Sequence, residues 1–459
     1  MDLILDRKEA GRLMSLAAPI LLGSLATTGM AFTDTVMAGR YSSDDLAGLS
    51  LATALYLLIL LPLLCLMTAV TPVISSHRGA GDPGRIQETM TQLGRAAALT
   101  ALAAVLLCLA GSTAAGLLDL EPRVVDVARD YTRIIALGIP FAFAFGWIRA
   151  LTDGLGNTVI TMICCTAGLV CNVGLNYVFI YGHLGLPALG GKGCAVATDL
   201  VQILMFLLQI LLVRRMAAVR AHRLLSPHPH PDPALIMRYF RLAFPLGLAV
   251  FFEVGIFSLF SVLASFMGSQ AMAANQILFN FMSVVYMLPM SLSHAASIRT
   301  GFHLGAGSFR GMELTVGATL ITGMILALVL GILSYLFRWE IISFYTGDPQ
   351  VRELLTDAFI CVAVYQIGDY CQTAGTGILR GIQDTAVISV ASVGVYWLFT
   401  VPCGLVLCFT SILGGPYGFY GLWVALCISL YMLALIYLKR VSTRFRQGFS
   451  GMTGSGAGS

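Results

Sequence analysis

Twelve stretches of mainly apolar residues follow one another along the chain: 13–37, 46–74, 92–117, 126–150, 158–181, 193–214, 239–264, 272–298, 312–337, 353–379, 386–411 and 417–438. Each is close to the roughly 20 residues a helix needs to cross a bilayer. Backbone groups in hydrocarbon find no water, so each stretch must satisfy its own hydrogen bonds as a helix. Composition agrees, with 58% hydrophobic and only 11% charged residues, against about a quarter charged in soluble domains. An all-α polytopic membrane protein is therefore expected. The longest connection, 215–238, is too short to hold a soluble domain. The first apolar run follows DLILDRKEAGR and carries no small-residue cleavage site, so it reads as a retained span rather than a signal peptide.

Charge placement gives the orientation. With the N-terminus inside, 20 of the 27 Lys and Arg fall at inner helix ends and 7 at outer ends, which predicts that both termini are cytoplasmic. The formal net charge of +4 then reflects topology and gives no reason to invoke nucleic acid. The cysteines lie mostly within spans and form no CxxC pair, so they read as small apolar packing residues. His228 and His230, in the arginine-flanked SPHPHPDP, read as part of a cytoplasmic linker rather than a metal site. The low-complexity tail GFSGMTGSGAGS is excluded from the fold.

The chain also matches itself. At an offset of 226, AAPILLG (17–23) lies on AFPLGLA (243–249), pairing Pro19 with Pro245, and HRGAG (77–81) lies on HLGAG (303–307). At 227, EPRVVDVARD (121–130) lies on DPQVRELLTD (348–357) and DGLGNT (153–158) on RGIQDT (380–385). Hydrophobicity alone would not align these polar loops. Six spans per repeat is an even number, so two six-helix lobes are expected, related by a pseudo-two-fold along the membrane normal, with sites between the halves. The divisions predicted are an N-terminal lobe 1–217, a linker 218–235, a C-terminal lobe 236–447 and the tail 448–459.

Three carboxylates lie well inside spans: Asp34 in GMAFTDTVMAG, Glu253 in AVFFEVGIF and Asp369 in VYQIGDYCQT. An intramembrane charge is costly, at least about 2.5 to 3.5 kcal/mol on insertion scales, and marks a functional candidate. The repeat places Phe260, Thr27 and Ala142 opposite them, so the shared architecture does not require these acids. Counting at 1.5 Å per residue from Arg241 and Arg380 puts Glu253 and Asp369 roughly 18 and 16 Å above the cytoplasmic side. No Lys or Arg is expected deeper than Arg133, which leaves these two acids to be protonated, hydrogen-bonded or paired with a mobile cation. Tyr365, Gln366, Gln372 and Thr373 form a polar stripe beside Asp369, and the two acids offer oxygen ligands of the kind a hard cation takes. In the first half, Asn172 and Asn176 are four apart on one helix face and are expected to bond Asp34, joined by Thr198 and Asp199. The candidates for an apolar, adaptable cavity are Phe251, Phe252, Phe257, Met272, Phe279, Met282, Tyr286, Met287 and Met290.

TDTVMAG in span 1, NYVFIYGHLGLPALGGKGCAVAT across spans 5 and 6, the Glu in span 7, YMLPMSLSHAASIRTGFHLGAG after span 8 and Asp369 four residues after Tyr365 resemble the multidrug and toxic compound extrusion (MATE) transporters, specifically the bacterial NorM branch. The resemblance runs through nearly the whole chain. It implies a V of two lobes in the bacterial inner membrane, a monomeric secondary transporter rather than an enzyme, and no cofactor. It also implies multidrug efflux of cationic amphipathic compounds in exchange for Na⁺ or H⁺, and hence antibiotic resistance. By position it assigns Glu253, Asp369 and Tyr365 to a cation site, the first two as ligands if the ion is Na⁺. It assigns Asp34, Asn172 and Asn176 to a polar cluster of the first lobe, and Gln276 and Tyr286 to the cavity. Proton-coupled archaeal relatives have an acid where this chain has Asn176. An amide carries no proton there, so any proton site of the first lobe depends on Asp34. Two other readings are weaker. A flippase for a lipid-linked saccharide should line its cavity with Lys or Arg, and an intramembrane aspartyl protease should carry more of its glycine-aspartate motif than QIGDYC.

Overall fold

A computed structural model describes residues 6–114, 121–226, 230–410 and 417–447; His228 and the tail 448–459 lie outside the described residues. The described chain is helical throughout: α1 Arg7–Tyr41, α2 Ser43–Gly79, α3 Pro83–Ala114, α4 Pro122–Gly154, α5 Val159–Tyr181, α6 Gly191–Arg214, α7 Ala217–Ala221, α8 Pro233–Ser265, α9 Ser269–Gly305, α10 Phe309–Leu336, α11 Arg338–Tyr345, α12 Pro349–Gly381, α13 Ala386–Val393, a π-helical segment Gly394–Thr400, α14 Val401–Phe409 and α15 Phe419–Arg446. With α13, the π segment and α14 taken as one, twelve helices are long and apolar enough to span a bilayer. They correspond to the twelve expected windows, but many continue past the apolar stretch. Window 46–74 sits inside the 37-residue α2, for example, because charged flanks end the hydrocarbon match without ending the backbone hydrogen bonding.

The duplication is visible in the element boundaries. Helices α2 and α9 are both 37 residues long and begin 226 residues apart, and α4 and α12 are both 33 residues long and begin 227 apart. The repeated HxGAG motif has a local cause. Its last glycine, Gly81 or Gly307, takes a left-handed φ of 69° or 62°, which stops the helix at little steric cost. In the DGLGNT/RGIQDT pair the left-handed residue is Gly156 in one copy and Gln383 in the other, at φ 75° and 62°.

Two compact units emerge. One comprises Ala18–Gly247 with Gly305–Gly307, and the other Met1–Ala17, Leu248–Leu304 and Ser308–Ser459. The division falls inside α1 and α8, close to the paired Pro19 and Pro245, rather than in the 218–235 connection. In the first unit α4 is the central helix, packed against α2, α3 and α6. In the second the equivalent α12 packs against α10 and α15. Small residues let α12 approach its neighbours: a side chain at Gly377 would collide with the Ser293 carbonyl of α9, and one at Gly375 with Tyr437 of α15. The Ser293 hydroxyl donates to the Thr373 carbonyl at 2.7 Å across the same contact.

The start of α1 is tied into the second unit by a buried ion cluster. The Arg299 guanidinium donates to both carboxylate oxygens of Glu9, at 2.7 and 2.8 Å, and the Thr315 hydroxyl adds a third bond at 2.8 Å. Glu9 is only 4% exposed. The connection between α7 and α8 is likewise held, its His230 carbonyl accepting from Gln92 and Arg95 of α3.

Candidate cation and substrate site

The second unit contains a cavity of about 380 Å³ lined by Glu253, Phe257 and two serines of α8, by Gln276, Phe279, Met282 and Tyr286 of α9, by Tyr365 of α12 and by Trp423 and Leu426 of α15. Glu253 is half-buried, and among the described residues its carboxylate accepts no hydrogen bond. Asp369 lies buried one turn beyond Tyr365, bonded by Thr373 on its own helix and close enough to Glu253 for the two charges to interact. The walls are aromatic. Phe257 and Phe279 meet edge to face at 5.3 Å between centroids, and Trp423 packs on Phe279 at 5.3 Å and on Tyr365 at 6.2 Å. The Trp423 indole N–H is buried without a partner among the described residues.

The structure brings Glu253, Asp369, Tyr365, Phe257, Gln276, Phe279 and Tyr286 together. Phe252, expected at the cavity, is not among the residues that line this one. One residue from Glu253 means about 100° around the helix, which turns its ring edge-on to Trp397 of the π segment at 5.6 Å, while its carbonyl accepts from the Trp397 indole at 3.2 Å. Phe251 and Met272 are exposed. The sequence reading missed Trp423, one of only four tryptophans in the chain, a rarity that was the available signal.

A basic group is also nearer Glu253 than expected. The charge of Arg380, read from sequence as an anchor at the cytoplasmic end, is felt at Glu253, Tyr286 and Tyr437. Four residues on, Asp384 accepts from Arg440 at 2.8 Å and from Arg444 at 2.7 Å. Burial alone would raise the Asp384 carboxyl, but the hydrogen bonds from Arg444 and Arg440 prevail and hold it below the usual carboxylate range.

Asp34 belongs to the first unit and sits in a hydrogen-bonded knot. The Asn172 and Asn176 amides donate to its Oδ1 at 3.0 and 2.6 Å, the Thr198 hydroxyl to its Oδ2 at 3.4 Å, and Asn176 also donates to Asn172 at 3.2 Å. The Cys194 thiol, not foreseen, bonds the same carboxylate. Asp199 does not join the knot. Adjacent to Thr198 on α6, it points the other way and packs its carboxylate against Gly138 of α4.

Twelve spans built from two copies of one helical frame, with intramembrane acids at positions the copies do not share, are the architecture of a transporter. A family model described as MatE matches residues 19–178 and 245–406, and the chain belongs to that family, the MATE transporters. The two matches begin 226 residues apart, the offset found from the sequence alone. Solved structures share the fold. A eukaryotic MATE transporter, AtDTX14, has a TM-score of 0.82 at 17% identity over 96% of this chain and 98% of that one. An outward-facing multidrug resistance MATE transporter of the MOP superfamily has a TM-score of 0.83 at 16% identity, covering 96% of each chain. A MOP superfamily transporter from Pyrococcus furiosus, described as having a binding pocket of reverse polarity and a different function, has a TM-score of 0.84 at 15% identity over 96% of this chain and 97% of that one.

Proposed function

We propose that this chain is a NorM-like efflux antiporter of a bacterial inner membrane, a monomer with both termini cytoplasmic, exporting cationic amphipathic compounds in exchange for Na⁺ or H⁺. The observation that carries this reading is the Glu253 carboxylate, set without a fixed donor in an aromatic cavity. Aromatic faces attract organic cations, by about 0.5 kcal/mol when exposed and about 2 or more when desolvated, and Met282 and the phenylalanines accommodate varied apolar bodies. A lining that holds a carboxylate and no Lys or Arg disfavours an anionic cargo such as a lipid-linked saccharide pyrophosphate.

Export follows by competition. Cationic drug sits against Glu253. Na⁺ or H⁺ arriving from outside neutralises Glu253 and Asp369, removes the electrostatic hold and frees the drug. The ion then leaves on the inside and drug rebinds. Coupling requires the ion to favour one conformation over the other, since a ligand with equal affinity for both shifts nothing. For Na⁺, the two carboxylates with the Tyr365 hydroxyl and backbone oxygens supply hard ligands. In the first unit Asp34 contacts drug or carries a proton, with Asn172, Asn176 and Thr198 orienting it.

The test is uptake of a fluorescent cationic dye into inverted vesicles under an imposed Na⁺ gradient and, separately, a pH gradient. Dye accumulation driven by one of these and lost in Glu253→Gln and Asp369→Asn supports the reading. Accumulation undiminished in both variants overturns it.

A further inference from the structure

The polar stripe of α12 does not stop at Asp369. Tyr365, Asp369, Gln372, Thr373 and Thr376 are all buried, and Arg380 follows on the same face, since eleven residues from Asp369 make just over three turns. The stripe is bonded internally, with Thr373 donating to the Gln372 amide oxygen at 3.0 Å and Thr376 to the Gln372 carbonyl at 3.1 Å. A helical side chain leans toward the helix N-terminus, which on α12 is toward Asp369. The Arg380 Nε is buried and has no hydrogen-bond partner, and among the described residues its side chain makes no ion pair. Its nearest acid in sequence, Asp384, is already held by two other arginines.

The other repeat shows what this position does when it is neutralised. Shifted by 227, Arg380 corresponds to Asp153 and Thr376 to Arg149. There, Arg149 bonds Asp153 at 3.1 Å one turn away and Thr161 donates to it at 3.1 Å, so the charge is satisfied on the spot. In the second repeat the sign is reversed and the local partner is gone. Arg380 is half-buried, and a guanidinium whose buried Nε has no partner is left partly uncompensated, so a reason must lie along the stripe, where the two unshared acids are.

We propose that Arg380 is the built-in countercharge of Glu253 in the Glu253 and Asp369 site, a tethered cation that competes with drug and coupling ion and so keeps both from binding too tightly to be released. This inference rests on the assignment of Glu253 and Asp369 as the cation site, and it adds a residue that sets affinity without touching the cargo. Arg380 is thus a positioning residue, and removing its charge should strengthen cation binding, where a merely structural role would weaken it.

The experiment is equilibrium binding of tetraphenylphosphonium to the purified full-length protein in detergent, at fixed pH without Na⁺. A unit charge about 10 Å away at an effective dielectric near 20 is worth about tenfold in affinity, so Arg380→Gln should bind about tenfold tighter, and Arg380→Lys should stay near wild type. The gain should vanish in the Glu253→Gln background. If Arg380→Gln does not fold, Thr376→Glu replaces it: an acid one turn away occupies Arg380 as Asp153 occupies Arg149, and binding should again tighten. Unchanged or weaker binding in the folded variant, or equal tightening in Arg380→Lys, overturns the inference and leaves the cation site standing. Wild-type binding in the Glu253→Gln and Asp369→Asn variants overturns the cation site, and the countercharge with it.

Discussion

Asp34 and Glu253 are both carboxylates deep in apolar helices, one in each copy of a duplicated frame, and their surroundings are opposite. Asp34 is saturated: two amides and a hydroxyl donate to it. Glu253 has an open cavity in front of it, no fixed donor among the described residues, and the charge of Arg380 behind it. A carboxylate supplied with neutral donors is content in the membrane. One left without them must find a proton or a mobile cation. The difference teaches that duplication preserved the helices and their ends while the two copies took different solutions for buried charge.

The comparison can be broken most decisively at Glu253 and Asp369. Each neutral variant should lose energised dye transport nearly completely, measured as initial rate, and Glu253→Gln should keep a wild-type melting temperature, because Glu253 has no hydrogen bond to lose among the described residues. The ion cluster of Glu9 should behave in the reverse way. Glu9→Ala strands a buried Arg299 and should lower stability by about 3 to 5 kcal/mol, read as a fall in thermal unfolding temperature in detergent; an unchanged melting curve would contradict the buried pairing. Asp34→Ala leaves Asn172 and Asn176 without their acceptor and should cost about 1 to 3 kcal/mol, a loss that separates it from Glu253→Gln by calorimetry. At the repeated turn, Gln383→Gly should stabilise by about 1 kcal/mol, because the left-handed backbone that Gly156 adopts freely is strained for a side-chain-bearing residue.

The smallest effect is one of pH. A depressed folded value means that the unfolded chain binds the Asp384 proton first, so the contribution of this ion pair is fully present above about pH 4 and fades as pH falls through the lower folded value. Wild type should therefore lose more melting temperature than Asp384→Asn on acidification below about pH 4. Parallel curves would show that Arg440 and Arg444 do not hold the carboxylate as described.

Much of this was legible without coordinates. The spans follow from the length of apolar runs, the duplication from HxGAG and the Gly/Gln turn, and the acids from being charges where charge is costly. The pairing of Asp34 with Asn172 and Asn176 was legible too, because four residues on a helix put both amides on one face. Phe252 and Asp199 went the other way for a related reason: each neighbours a site residue in sequence, and one step along a helix turns a side chain by about 100°. Trp423 offered only its rarity as a signal, and its place in the site was not legible, because the helix that carries it meets α9 and α12 only after folding.

Hydrophobic length, helix period and the repeat are local quantities, set by bilayer thickness and backbone geometry, and a linear string carries them in full. From these came twelve helices, their doubling and the identity of the buried acids. Which donors reach which acid depends on helix rotation and on how closely neighbours approach, as at Gly375 and Gly377, and these are settled by packing among residues distant in sequence. That is why Arg380 reads as a cytoplasmic anchor in the string, yet in the folded chain its charge acts on Glu253.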